Sequence, residues 1–166
     1  MTRTLIIGYG NIDRADDGVA HEVINTLRGR QDLEPLDEEN TGLEELGKEV
    51  DSIFLSQLTP ELMELMCDYD RVVFVDAHIS EVTEDLNCTE VLPDYAPSSL
   101  THHLTPGMLL ALVRALYGRE PVGHLVSIRG HDFGFHRGLS PETHILMGRA
   151  VDHLLRWLNG QAIGTG

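Results

Sequence analysis

Two hydrophobic patterns alternate along the whole chain. Short continuous apolar runs, typical of strands buried on both faces of a parallel sheet, occur at 5–7, 52–55, 71–77 and 122–128. Apolar residues at helical spacing follow in segments that begin near residues 16, 59, 105 and 140. A further short edge strand is expected near 89–92. The pattern predicts an α/β fold, a three-layer, open, mostly parallel twisted sheet with helices on both faces.

The ends of the predicted helices carry recognisable signals. Asp16 is expected to cap the first helix and Gly29 to end it. The other three helices open with Ser or Thr followed by Pro, at 59–60, 105–106 and 140–141. The expected apolar face of the third helix includes Leu116, and that of the last helix includes Ile145.

One acidic stretch, at 31–50, interrupts the alternation with Pro35, Gly42 and Gly47 and little apolar periodicity. It is predicted to be a solvated loop with at most a short helix or hairpin, and a docking surface for a basic partner is the alternative. No linker or internal repeat is visible, so the 166 residues are predicted to form a single domain, 1–166.

The charge and cysteine content narrow the class of protein. The formal net charge of −15 disfavours nucleic acid and anionic membrane surfaces as partners. Cys67 and Cys88 form no CxxC pair, and no run approaches the roughly 18 apolar residues of a membrane helix. With no signal-peptide pattern at the N-terminus, the sequence predicts a cytoplasmic protein.

Ligands of such a fold gather beyond the carboxyl ends of the strands, which directs attention to the turn after the first strand. Gly8 and Gly10 begin a dinucleotide fingerprint, but Asp13 stands where its third glycine should be. Asp16 and Asp17 would also place negative charge where a pyrophosphate must bind. A nucleotide site is therefore disfavoured, and a nucleotide-binding oxidoreductase is only the third candidate.

The acidic residues themselves suggest a different site. Asp17, beside a capping Asp16, has no capping role left, and Asp76 follows four consecutive apolar residues of the 71–77 strand. Both belong to the ligand-binding edge of the predicted sheet. They are candidates to bind a cation there.

Histidines could complete such a site. His102 and His103 immediately precede the third helix, in a loop that the topology brings to the same edge. Two carboxylates and one imidazole suit a borderline divalent ion such as nickel or zinc and leave positions open for substrate or water. His78, His131 and His136 are weaker candidates, either for substrate contact or as solvated loop residues.

Three motifs in order resemble those of the hydrogenase maturation endopeptidases over nearly the whole chain. They are IIGYGNIDRADDGV near the start, VVFVDA at the central strand and THHLTPGMLLALVRALYG, in which histidines precede the third helix. The resemblance is strengthened by Gly-Leu-Ser at 138–140. It implies a protease that removes the C-terminal extension of a nickel-containing hydrogenase large subunit after nickel insertion.

The resemblance also implies the site residues. Asp17, Asp76 and His102 match the family's metal ligands, and they are the implied catalytic residues as well. His102 fits better than His103 because the family's histidine precedes one variable residue, an apolar residue and the Ser or Thr that starts the helix. The implied metal is nickel presented by the precursor, and another divalent metal such as zinc is an expected substitute in vitro.

The sequence therefore predicts a nickel-dependent maturation endopeptidase whose partner is the nickel-loaded large-subunit precursor. A water molecule or the polarised carbonyl would react with Lewis-acid assistance, because no conventional nucleophile motif is present. We expect the protein to act as a monomer. The alternative is a chaperone that senses nickel in the large subunit without cutting it.

Overall fold

A computed structural model describes residues 2–79, 84–95 and 104–160, and these include a five-stranded sheet. The strands are β1 (Thr4–Tyr9), β2 (Val50–Leu55), β3 (Arg71–His78), β4 (Leu86–Val91) and β5 (Val122–Arg129). Their order is β2-β1-β3-β5-β4, and all pairs are parallel except β4 with β5. The predicted open, mostly parallel sheet is confirmed, and β4 is the expected edge strand.

Four α-helices of the described ranges cover the two faces of the sheet. They are α1 (Val19–Arg30), α2 (Leu62–Met66), α3 (Pro106–Tyr117) and α4 (Pro141–Leu158). Apolar side chains of α1 and α4 pack on one face of the sheet, and those of α2 and α3 pack on the other. No helix within the described ranges is both long and apolar enough to cross a membrane.

The helix ends depart from expectation near α1. A 3₁₀ turn, Ala15–Gly18, precedes α1, and Gly18 rather than Asp16 is the residue at the helix cap. Asp16 was expected to cap the helix, but its carboxylate is turned into the protein, as described below. Gly29 does not end the helix, which continues to Arg30. Thr105 and Ser140 do cap α3 and α4, each accepting a hydrogen bond from a backbone amide three residues on.

The acidic stretch forms a loop with no helix or strand between Gln31 and Glu49. Arg28, only 2% exposed, fixes one end by donating to the Glu34 carbonyl and to the Glu45 carboxylate. Asp51 fixes the other end by accepting hydrogen bonds from the backbone amides of Gly47 and Lys48. The loop is thus anchored at both ends by a buried ionic side chain, and between them by Leu36, which is 2% exposed and belongs to the apolar core on the α1 and α4 side of the sheet.

A stack of aromatic rings lies between β5 and the C-terminal half of α4. The ring of His124 lies 5.9 Å from that of His153 and 5.1 Å from that of Trp157, with nearly parallel planes. The Arg71 guanidinium lies over the Trp157 ring, with its carbon 4.3 Å from the ring centroid. The Nε2 atoms of both histidines are buried and have no hydrogen-bond partner among the residues that the structure describes. Burial lowers the pKa of His124 to about 4 and also lowers that of His153.

Candidate functional site

Asp17 and Asp76 lie at the carboxyl ends of two neighbouring strands. Asp76 is the sixth residue of β3, and Asp17 lies in the 3₁₀ turn that follows β1. The turn contacts β3 directly. The structure therefore brings these two predicted residues to one edge of the sheet.

The electrostatics of Asp76 reflect this proximity. Burial and, to a smaller extent, the negative charge of Asp17 raise the pKa of Asp76 to about 6, against the hydrogen bonds from the Ala77 amide and the Tyr9 hydroxyl. Burial and the Asp76 carboxylate also raise the pKa of Tyr9, which stays protonated. Two acids and a phenol thus share an edge at which added positive charge would be stabilised.

Backbone geometry fixes the position of Asp17. Its Oδ2 accepts a hydrogen bond of 2.8 Å from the Asn11 amide. Gly10 has φ of 149°, and a Cβ atom there would lie 2.2 Å from the Asp17 carbonyl oxygen. Only glycine at position 10 therefore permits the close approach of the Asp17 backbone to the turn that follows β1.

The same turn offers no cradle for a phosphate. The Gly10 amide donates to the Leu55 carbonyl, and the amides of Ala15 and Asp16 donate to the carbonyls of His136 and Asp132. The Asn11 amide is held by Asp17. A phosphate site needs several free amides that point at the ligand, so the geometry agrees with the sequence in disfavouring a nucleotide.

Asp16 holds the loop 130–140 against the turn. Its carboxylate accepts hydrogen bonds of 2.7, 2.8 and 2.7 Å from the amides of His131, Asp132 and Ser140. The hydroxyls of Ser140 and Thr143 lie 2.7 and 2.9 Å from Oδ2. Burial opposes ionisation, but these hydrogen bonds together lower the pKa of Asp16. Asp16 is therefore ionised and anchors the loop. It directly precedes Asp17, the candidate metal ligand, in the sequence.

His102 and His103, the predicted third ligand and its alternative, lie outside the described residues. Within the described ranges, no three His, Cys, Asp or Glu side chains are grouped closely enough to hold a metal ion. His131 contacts the Thr143 hydroxyl at 3.0 Å, and the His136 ring contacts the Asp132 carboxylate at 2.7 Å. These two histidines therefore stabilise the loop 130–140.

His78 is held at the end of β3, two residues beyond Asp76. Its Nδ1 lies 2.6 Å from the Ser127 hydroxyl, and its Nε2 lies 3.1 Å from the Glu84 carbonyl. Ser127 is the β5 residue paired with Asp76 in the parallel register. The His78 and Ser127 side chains therefore form a fixed polar pair beside the Asp76 edge.

An open cleft of about 840 Å³ begins at Gly10 and Asn11, the two residues that hold Asp17 in place. Its walls are the β1 turn, the end of β2 and part of the acidic loop. Arg137 ties these walls together, since it donates to Asp13 at 2.7 Å and to the Glu38 carboxylate. The acidic loop is thus one wall of a cleft that begins beside the candidate site.

Three features of the site did not emerge from the sequence. Sequence patterns give Tyr9 no role beyond its place in the turn after the first strand, and they favour Asp16 only as a helix cap. No sequence pattern assigns a role to Arg137. The alternation within β1 could have identified Tyr9, because Leu5 and Ile7 face the α2 and α3 side and the next side chain in that series is Tyr9.

Comparisons with known proteins give a consistent result at the level of the fold. No protein-family model matches the sequence, and no curated protein sequence is significantly similar to it. Among solved structures, the hydrogenase maturating endopeptidase HybD from E. coli aligns with a TM-score of 0.69 at 20% identity, covering 98% of this chain and 97% of that one.

Two archaeal structures agree with it. The [NiFe] hydrogenase maturation protease HycI from Thermococcus kodakarensis aligns with a TM-score of 0.65 at 21% identity, covering 95% of this chain and 93% of that one. The hydrogenase 2 maturation peptidase from a Thaumarchaeota archaeon gives 0.63 at 21%, covering 97% and 100%. The chain therefore has the α/β fold seen in these hydrogenase maturation proteases, in alignments that cover 95% to 98% of its length.

Proposed function

We propose that this protein is an endopeptidase that removes the C-terminal extension of a nickel-containing hydrogenase large-subunit precursor after nickel insertion. The observation that carries the proposal is the meeting of Asp17 and Asp76 at one sheet edge. It occurs in a fold shared end to end with proteins named as hydrogenase maturation endopeptidases.

The donor set supports a cation as the species recognised. Asp76 is destabilised as an anion by burial and by the charge of Asp17, and a divalent ion would favour the ionised form of both. Carboxylate oxygens with an imidazole suit nickel or zinc. We propose His102 as the third ligand, on the motif that the sequence shares with the endopeptidases.

In this proposal the nickel belongs to the substrate, and the site tests for its presence before cleavage. Asp17, Asp76 and His102 would bind the ion presented by the precursor, which holds the peptide bond to be cut nearby. The ion would polarise the scissile carbonyl or lower the pKa of a bound water. Water adds its hydroxyl to the carbonyl carbon, and its proton goes to the leaving amine as the C–N bond breaks. Precursor without nickel would bind weakly and remain uncut.

The proposal is tested by incubating purified nickel-loaded and nickel-free precursor with the protein and measuring the precursor mass. The expected result is loss of a C-terminal peptide from the nickel-loaded form alone. Asp17→Ala, Asp76→Ala and His102→Ala should each reduce cleavage at least about 100-fold, because each removes a proposed ligand. Asp152→Ala is the matched control, since Asp152 is an exposed carboxylate on α4.

Two outcomes would contradict parts of the proposal. Undiminished cleavage by the three variants would contradict the assignment of Asp17, Asp76 and His102 as metal ligands. Tight binding of the nickel-loaded precursor with no change of mass would instead support the nickel-sensing chaperone, which cuts nothing.

A further inference from the structure

The loop 130–140 presents one aromatic side chain almost wholly to solvent. Phe135 is 89% exposed, the most exposed of the large apolar side chains in the described ranges. Phe133, two residues earlier, packs against Gly130, where an added Cβ would lie 2.4 Å from the Phe133 ring. One phenylalanine of the loop therefore turns inward and the other turns out.

The loop that carries Phe135 is fixed rather than free to fold the ring inward. The Asp16 carboxylate holds the amides of His131 and Asp132, and the Ala15 amide donates to the His136 carbonyl at 2.7 Å. The Gly134 amide donates to Asp132 Oδ1 at 2.9 Å. Residues on both sides of Phe135 are thus bonded to the turn that contains Asp17.

Arg14 supports the exposed ring. Its Nε and Nη2 atoms donate to the Phe133 carbonyl at 3.3 and 3.1 Å, which orients the guanidinium. The guanidinium carbon lies 5.3 Å from the centroid of the Phe135 ring. Ala15, next to Arg14, has φ of 46°, a strained conformation for alanine that this network maintains. An exposed apolar ring on a rigid support is typical of a preorganised anchor for a protein partner.

We propose that Phe135 is a docking anchor that enters an apolar recess on the folded body of the large-subunit precursor. This inference rests on the proposed function. An extended peptide segment suits the concave cleft beside Gly10, whereas a projecting ring needs a concave, preformed surface on its partner. Because the loop is bonded to the Asp17 turn, docking at Phe135 would place the precursor relative to the candidate metal ligands. A second copy of this chain is the competing occupant.

The test compares steady-state cleavage of purified nickel-loaded precursor by the wild type, Phe135→Ser and Phe135→Trp. Phe135→Ser should raise KM about tenfold with kcat within about twofold, and Phe135→Trp should stay near the wild type, because a large aromatic anchor is retained. Leu116→Ser is the matched control. Leu116 is 64% exposed near the C-terminal end of α3, which leads to the amino end of β5, whereas the loop 130–140 follows the carboxyl end of that strand. The KM of Leu116→Ser should not change.

The result that overturns the inference is a KM for Phe135→Ser within about twofold of the wild type, or an equal rise in Leu116→Ser. Sedimentation that shows a wild-type dimer broken by Phe135→Ser would also overturn it in favour of self-association. Affinity for immobilised nickel-loaded precursor is measured in parallel. Absence of any cleavage by the wild type contradicts the proposed protease, whereas an unchanged affinity of Phe135→Ser contradicts the anchor.

Discussion

The Asp16 carboxylate accepts a hydrogen bond of 2.7 Å from the backbone amide of Ser140, a residue 124 positions further along the chain. Ser140 is also the residue that caps α4. One side chain at the start of the protein therefore fixes the beginning of its last helix and the loop before it. The adjacent Asp17 is held in place by the same turn.

We predict that Asp16→Asn lowers the free energy of unfolding by about 2–4 kcal/mol, because an amide cannot accept all the hydrogen bonds that the buried carboxylate accepts. Urea unfolding at neutral pH measures it. Since folding lowers the pKa of Asp16, its contribution is present above the unfolded pKa of about 3.8 and is lost as the pH falls through the folded value. Asp13→Asn, at an exposed ion pair, should change stability by less than about 0.5 kcal/mol. Equal losses in both variants would contradict the anchoring role.

Asp76→Asn should increase stability while it abolishes cleavage. The folded protein raises the pKa of Asp76 to about 6, so the ionised carboxylate costs stability progressively between about pH 4 and 6 and fully above that range. Asparagine keeps an acceptor for the Ala77 amide without the charge. A gain on the order of 1–2 kcal/mol is expected at pH 7.5 and almost none at pH 4. Thermal melts across this range check it, and a gain that is constant with pH would contradict the electrostatic explanation.

Gly10→Ala should displace Asp17. A methyl group at Gly10 would lie 2.2 Å from the Asp17 carbonyl oxygen, so the turn must move. We expect a loss of about 2 kcal/mol or more in stability together with a large fall in cleavage. Gly148→Ala is the control, because a Cβ on that α4 glycine meets no atom within 4 Å. Full activity in Gly10→Ala would show that the turn is not needed to position Asp17.

His124→Phe should flatten the dependence of stability on pH. Because burial lowers the pKa of His124 to about 4, the unfolded chain binds more protons than the folded one between about pH 6.5 and 4. The wild type therefore loses stability as the pH falls through this range. His153, whose ring stacks on that of His124, lowers the pKa of His124 further, and Glu90 of β4 is paired with His124 in the sheet.

Phenylalanine keeps the stacking on Trp157 but cannot be protonated. The fall in unfolding free energy from pH 7 to 4.5 should be smaller in His124→Phe than in the wild type by about 1–2 kcal/mol. Urea unfolding at a series of pH values measures the slope independently of any constant offset from repacking. An unchanged slope would show that His124 is not the group responsible.

The fold could be predicted from sequence wherever apolar periodicity was strong. The continuous run of β3 and the proline-marked starts of α3 and α4 were predicted close to their actual bounds, because interior strands and capped helices leave local signals. The apolar faces of α3 and α4 were predicted less accurately. Leu116 and Ile145 were expected on the apolar faces, but both are exposed. Leu116 lies in the last turn of α3, beyond its buried residues, whereas Ile145 lies on the solvent face of α4, between the buried Thr143 and Leu146.

The placement of Asp17 and Asp76 could be predicted for a similar reason. The carboxyl ends of neighbouring parallel strands lie at one edge of a sheet, so residues that follow those ends lie at the same edge. The role of Asp16 could not, because its partners lie 115 to 127 residues away and no local pattern identifies them. A capping aspartate and a buried anchoring aspartate look alike in sequence, so only the tertiary contacts distinguish them.

The strand order has a consequence for local unfolding. β1 and β3 are interior strands with a hydrogen-bonded neighbour on each side, whereas β2 and β4 are the edges of the sheet. Amide hydrogens of β1 and β3 should therefore exchange with solvent most slowly, near the rate set by global unfolding, while those of β4 exchange through smaller openings. Asp76, and the turn that carries Asp17, are thus attached to the part of the molecule that opens last.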